Sequence, residues 1–272
     1  MAEAALETVL KRDRMVVGAA LLALTVLAWG YVLWLAATMS MGAPASSMPG
    51  MDMPGMNIGP STHAWNLSDL SFTFAMWAVM MIGMMTPSAA PMILLYARVG
   101  RQAKVQGKPF AAAGWFAGGY LLAWTGFAAL ASLAQAALAD AALITPMLNL
   151  VNRVAAGAVL IAAGLYQFTP LKYACLSQCQ APLQFLQRHG GFKRDLSGAL
   201  QLGLRHGLYC IGCCWALMAL LFVGGVMNVL WIAALSALVL LEKILPAGWF
   251  LPRAAGLVLI AAGGIFLYRT GM

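Results

Sequence analysis

The sequence predicts an all-α fold, a polytopic transmembrane helical bundle, and three observations carry that expectation. Of 272 residues, 62% are apolar and only 9% charged, with a mean hydropathy of +0.84, where soluble domains average about 25% charged. The apolar residues fall into runs near the length of about 20 that a helix needs to cross a bilayer. Seven such runs are read at 15–38, 72–97, 111–138, 149–169, 198–224, 226–245 and 252–268. The third observation is the placing of charge. Basic residues cluster at alternate ends of the runs: Lys11, Arg12 and Arg14; Arg98, Arg101, Lys104 and Lys108; Lys172, Arg188, Lys193 and Arg194; Lys243 and Arg253. The opposite connections, 39–71 and 139–148, carry no Lys or Arg. By the positive-inside rule the N-terminus is cytoplasmic and the C-terminus external. The net charge of +8 is then a mark of topology, and nucleic acid is excluded as a partner. The partner it implies is the lipid bilayer, which the chain crosses several times.

The domain plan follows. Residues 1–38 are an N-terminal tail and a first span, uncleaved because no small-residue cleavage site follows the apolar run. Residues 39–71 form an external loop, and residues 72–272 a bundle interrupted by a cytoplasmic cysteine-containing loop at 170–197. The external loop carries Met48, Met51, Met53 and Met56 between prolines and glycines, with Met39, Met41, Asp52 and His63 nearby. Such a stretch buries little, so its thioethers have no packing role. Thioether sulfur is a soft ligand suited to Cu(I), and the repeated spacing points to metal capture rather than to incidental methionine.

The second span continues the theme. Met76, Met80 and Met84 follow i, i+4, i+8 and make one stripe, with Met81, Met85 and Met92 beside it. Adaptable core filling is the plainer reading of such a stripe, but the external loop leads straight into it. Pro87 and Pro91 lie in the same span, where proline removes a backbone hydrogen bond and a kink is expected. The third span, with Gly114, Gly118 and Gly119, and the fourth, with Gly157 and Gly164, read as scaffold in which small residues admit close helix approach. Cys175 and Cys179, spaced i, i+4, follow on the cytoplasmic side.

The fifth span contains Arg205, His206, Cys210, Cys213 and Cys214. At about 100° per residue the imidazole and the three thiols share one face of a helix, while a rise of about 1.5 Å per residue keeps His206 and Cys214 about 12 Å apart. The four therefore cannot chelate one ion on a straight helix. His206 with Cys210, and Cys210 with Cys213 or Cys214, can serve as pairs, with further ligands from other helices. Arg205 needs a partner or a wet cavity, for which Glu242 and Lys243 are the candidates. The last span reads as packing.

Three segments also carry a resemblance: Met76 to Tyr96, Tyr166 to Cys179, and Gly203 to Met218. They resemble a bacterial family of predicted metal-binding integral membrane proteins, over roughly residues 70–250. The resemblance implies a helical membrane protein that handles metal, without fixing the ion.

The function expected is binding and transfer of a soft ion, copper as Cu(I). Met48, Met51, Met53 and Met56, with His63, would capture it; Met76, Met80 and Met84 would pass it on; His206, Cys210, Cys213 and Cys214 would hold it. Cys175 and Cys179 would release it to a cytosolic acceptor, and delivery to a periplasmic chaperone or a membrane cuproenzyme is the reverse option. No phosphate-binding Gly-rich loop is found, which argues against a pump, and no catalytic constellation argues for an enzyme. Two alternatives stand beside it: a membrane thiol–disulfide electron carrier, and a non-catalytic subunit of a membrane copper enzyme complex. Haem is disfavoured because no Cys-x-x-Cys-His attachment motif exists.

Overall fold

The computed structural model describes residues 2–41, 66–107, 112–141, 143, 152–245 and 250–269. Met48, Met51, Met53, Met56 and His63, expected to capture the ion, lie outside the described residues. Among those described, every regular element is a helix: α1 Ala2–Met41, α2 Leu67–Val105, α3 Ala113–Asp140, α4 Arg153–Tyr166, α5 Pro170–Gln180, α6 Pro182–Arg188, α7 Leu196–Ala219, α8 Leu221–Gly224, α9 Val229–Ile244 and α10 Phe250–Tyr268.

Five helices are long and apolar enough to cross a membrane, and a sixth span results if α4 and α5 are counted together. This differs from the seven runs read in the sequence. The fourth run is cut at Tyr166: α4 has 14 residues, and α5 leaves it at 64°. The break is encoded locally. The Thr169 side chain caps α5 by accepting from the Lys172 N–H, and Pro170 sits in the first turn, where a missing donor does no harm. The sixth run is α9, whose 16 residues span about 24 Å at 1.5 Å each, short of a hydrocarbon core of about 30 Å.

Glycine sets the packing. A Cβ at Gly203 of α7 would overlap the Phe116 carbonyl of α3, one at Gly119 would overlap the Leu200 carbonyl, and one at Gly207 would meet Ala123 Cβ at 2.5 Å. The two backbones are therefore in direct contact along α3 and α7, which places Tyr120 of α3 beside the thiol face of α7. The α4–α10 pair is built alike. Gly157 faces Gly263 and Gly164 faces Gly256, in reversed order, so the helices run antiparallel. Gly114, read from the sequence as a contact glycine, has nothing within 4 Å. Overpacking a filled interface costs about 1–3 kcal/mol, and here the obstructing atoms are backbone. Gly203→Ala is expected to lower the thermal unfolding midpoint of the detergent-solubilised protein, measured by tryptophan fluorescence. Gly114→Ala is expected to leave it unchanged.

α2 runs through Pro87 and Pro91 as a single helix of 39 residues. Hydroxyls from its neighbours reach the turn before the prolines: Tyr120 Oη donates to the Met85 carbonyl at 3.0 Å and Ser236 Oγ to the Met84 carbonyl at 3.3 Å. Neighbouring side chains of this kind are what make proline tolerable in an apolar helix.

Candidate functional site

The methionines of α2 face inward. Met76, Met80, Met81, Met84, Met85 and Met92 are all buried, in one core with Cys210, Cys213 and Cys214. Both stripes seen in the sequence thus line the interior.

Cys210 is the hub of the site. Lys243 Nζ of α9 donates to Cys210 Sγ at 2.8 Å and to Ser88 Oγ of α2 at 2.9 Å. Ser88 Oγ donates to the Met85 carbonyl at 2.8 Å, the Tyr120 hydroxyl reaches that same carbonyl, and Tyr120 Oη lies 3.1 Å from Cys210 Sγ. The contacts close into a ring, Lys243–Ser88–Met85–Tyr120–Cys210, that ties α9, α2, α3 and α7 together. The Met85 carbonyl at its far side belongs to the methionine-lined helix.

The other thiols lie near it. Cys213 Sγ and Cys214 Sγ each donate to the Cys210 carbonyl at 3.0 Å. The side chains of Cys179, Cys213 and Cys214 also lie within interaction reach of Cys210 Sγ. Cys175 packs on the same helix from α5: its Sγ would stand 2.7 Å from a Cβ at Gly212. The Tyr166 hydroxyl donates to the Gly212 carbonyl and holds the end of α4 against α7. All five cysteines are free thiols. The cytoplasmic loop expected at 170–197 is therefore helical over Pro170–Gln180, and it brings Cys175 and Cys179 to the thiols of α7 instead of holding them as a separate station.

His206 is buried with Phe116, Tyr120 and Phe185 around it, ring centroids 5.9, 5.8 and 5.1 Å away. Its Nδ1 has no hydrogen-bond partner. Among the described residues, no three His, Cys, Asp or Glu side chains already converge as ligands on one point, and Cys213 and Cys214 turn to a backbone carbonyl. The donor set nevertheless fits a soft cation: thiols gathered in an apolar setting, with an orphaned imidazole nitrogen one turn away.

Two charged groups have other partners than the sequence suggested. Glu242 and Lys243 were expected to partner Arg205, but Arg205 is exposed. Glu242 instead pairs with Lys172 of α5, Nζ to Oε2 at 2.7 Å, both side chains 2% exposed. Gln180 Nε2 adds a bond to the Glu242 carbonyl at 2.7 Å. Consecutive residues of a helix point about 100° apart, so α9 sends Glu242 to α5 and Lys243 to α7. The signal in the sequence was the pair of charges inside an apolar run, which by default marks function. Tyr120 was missed in a span otherwise rich in Ala and Gly.

The fold and site define a class: a helical bundle with membrane-length helices around a buried sulfur and ammonium centre. A family model described as PpoB2, copper chaperone, matches residues 74–266. The chain belongs to this copper chaperone family, which supports copper handling in general. No curated protein and no solved structure gave a match.

Proposed function

We propose that this protein binds Cu(I) within a bacterial inner membrane and passes it on, with the thiols of Cys179, Cys210, Cys213 and Cys214 as the holding centre. The single observation that carries this reading is the buried cluster of Cys210, Cys213 and Cys214 in one core with the α2 methionines, with Cys179 of α5 beside it, in a chain of a copper chaperone family. Thiolate and thioether are the soft ligands that Cu(I) prefers. His206 Nδ1 offers a nitrogen donor beside them, and Cys175 extends the sulfur surface along α5. On this reading Met48, Met51, Met53 and Met56, with His63, collect the ion on the external side. Met76, Met80 and Met84 then form a thioether track toward the thiols. The buried inward face of α2 supports that track, and the ring through Met85 joins it to Cys210. On this reading the N-terminus lies in the cytoplasm, as the charge pattern suggests, and a soluble chaperone or a membrane cuproenzyme exchanges the ion.

The close approach of several free thiols also favours a second reading, a thiol–disulfide electron carrier, since thiolate attack on a disulfide needs adjacent sulfurs. Elemental mass spectrometry of protein purified anaerobically under reducing conditions separates the two. We expect stoichiometric copper in the wild type and none in the Cys179/Cys210/Cys213/Cys214→Ser replacement. No metal in either sample, together with a disulfide forming in the wild type on exposure to air, assigns the electron-carrier reading instead.

A further inference from the structure

Softness alone does not choose the ion, because thiolates suit Cu(I) and Zn(II) alike. A second property of the centre does, and it lies in Lys243. Its side chain is buried, and its ammonium stands 2.8 Å from Cys210 Sγ and 2.9 Å from Ser88 Oγ. The neighbouring Glu242 is taken up by Lys172 at 2.7 Å, so that pair is neutral within itself. Among the described residues, no carboxylate forms a salt bridge with Lys243.

Buried charge is tolerated only when it is compensated. Cu(I) held by two of these thiols as thiolates, the others keeping their protons, is a unit of charge −1, and one ammonium brings the centre to zero. A divalent ion on two thiolates is already neutral and gains nothing from the ammonium. We propose that Lys243 is the specificity-determining residue of this centre: a fixed counter-ion, held in place by Ser88, that favours a monovalent soft ion over divalent ones. The inference rests on the copper-centre reading above and names its selectivity. Lys243 ligates nothing itself and acts through the charge it places at Cys210. The Lys172–Glu242 pair fixes the register of α9 and leaves that charge unshared.

The test uses the full chain in detergent, anaerobic and reduced, with Cu(I) affinity read by competition against a chromophoric Cu(I) chelator. Cd(II) serves as the divalent probe through its thiolate charge-transfer absorption. Lys243→Met is expected to lower Cu(I) affinity at least about tenfold, a change of the size that one charge exerts at close range in a protein interior, while Cd(II) affinity holds or rises. Lys243→Arg is expected to restore Cu(I) binding. A purely structural role for Lys243 would weaken both ions together and leave their ratio at the wild-type value, and that result overturns the proposal. A wild type that binds Cd(II) but no Cu(I) overturns the copper-centre reading, and the selectivity falls with it.

Discussion

Lys172→Met is expected to leave little folded protein. The Lys172–Glu242 pair is 2% exposed on both sides, and removing one partner strands a carboxylate in the interior. Breaking a buried pair in this way costs about 3–5 kcal/mol, a large share of a stability that is about 5–15 kcal/mol in all for typical proteins. Glu242 Oε1 already lacks a hydrogen-bond partner, so no spare contact softens the loss. The double variant Lys172→Met, Glu242→Leu removes both charges and is expected to recover most of the yield, since apolar replacement of a whole buried pair is often neutral or better. Size-exclusion profiles of the three proteins in detergent provide the measurement. A single variant as well behaved as the wild type would show that the pair contributes nothing to α5 and α9 packing.

Cys210→Ser is expected to reduce Cu(I) affinity more than any other single cysteine replacement, by about 100-fold or more, beyond the 10–100-fold typical of groups that only support a ligand. Cys210 is the sulfur to which Lys243, Tyr120, Cys179, Cys213 and Cys214 all relate. Cys175 lies at the margin, against Gly212, and Cys175→Ser is expected to cost much less. Chelator competition on the two single variants ranks them, and equal losses would remove Cys210 from its central place.

Much of this was legible in the sequence, for physical reasons that can be named. Helical periodicity placed Cys210, Cys213 and Cys214 on one face and the α2 methionines in stripes, and both faces are buried, because apolar periodicity and helix geometry do not depend on the neighbours. The glycines of α4 were read correctly as points of close approach, while their partners Gly256 and Gly263 in α10 were not, since pairing is a tertiary fact. The stretch Pro170–Gln180 looked like a loop because Lys172, Ser177, Gln178 and Gln180 make it too polar for a span. It is a short helix that buries Lys172, Leu176 and Gln178 and leaves Leu171 and Tyr173 exposed, begun by Thr169 and Pro170, which were visible in the sequence. Lys243 could not be assigned from sequence at all. Whether a lysine at the end of an apolar run reaches water or turns to a thiol depends on the register of α9 against α2 and α7.

The ring at Cys210 has a consequence for how the chain is made. Synthesis proceeds from the N-terminus, and earlier parts of a chain begin to fold first. Every cysteine has been made once α7 is complete, but the ammonium that neutralises the hub arrives only with α9. A nascent or truncated chain ending after α7 therefore carries the full set of sulfurs without the opposing charge, and without the Glu242 that Lys172 requires. A late segment, α9, is the one that turns a collection of thiols into a finished receptacle, so termination between α7 and α9 yields a chain with its cysteines intact and its site unmade.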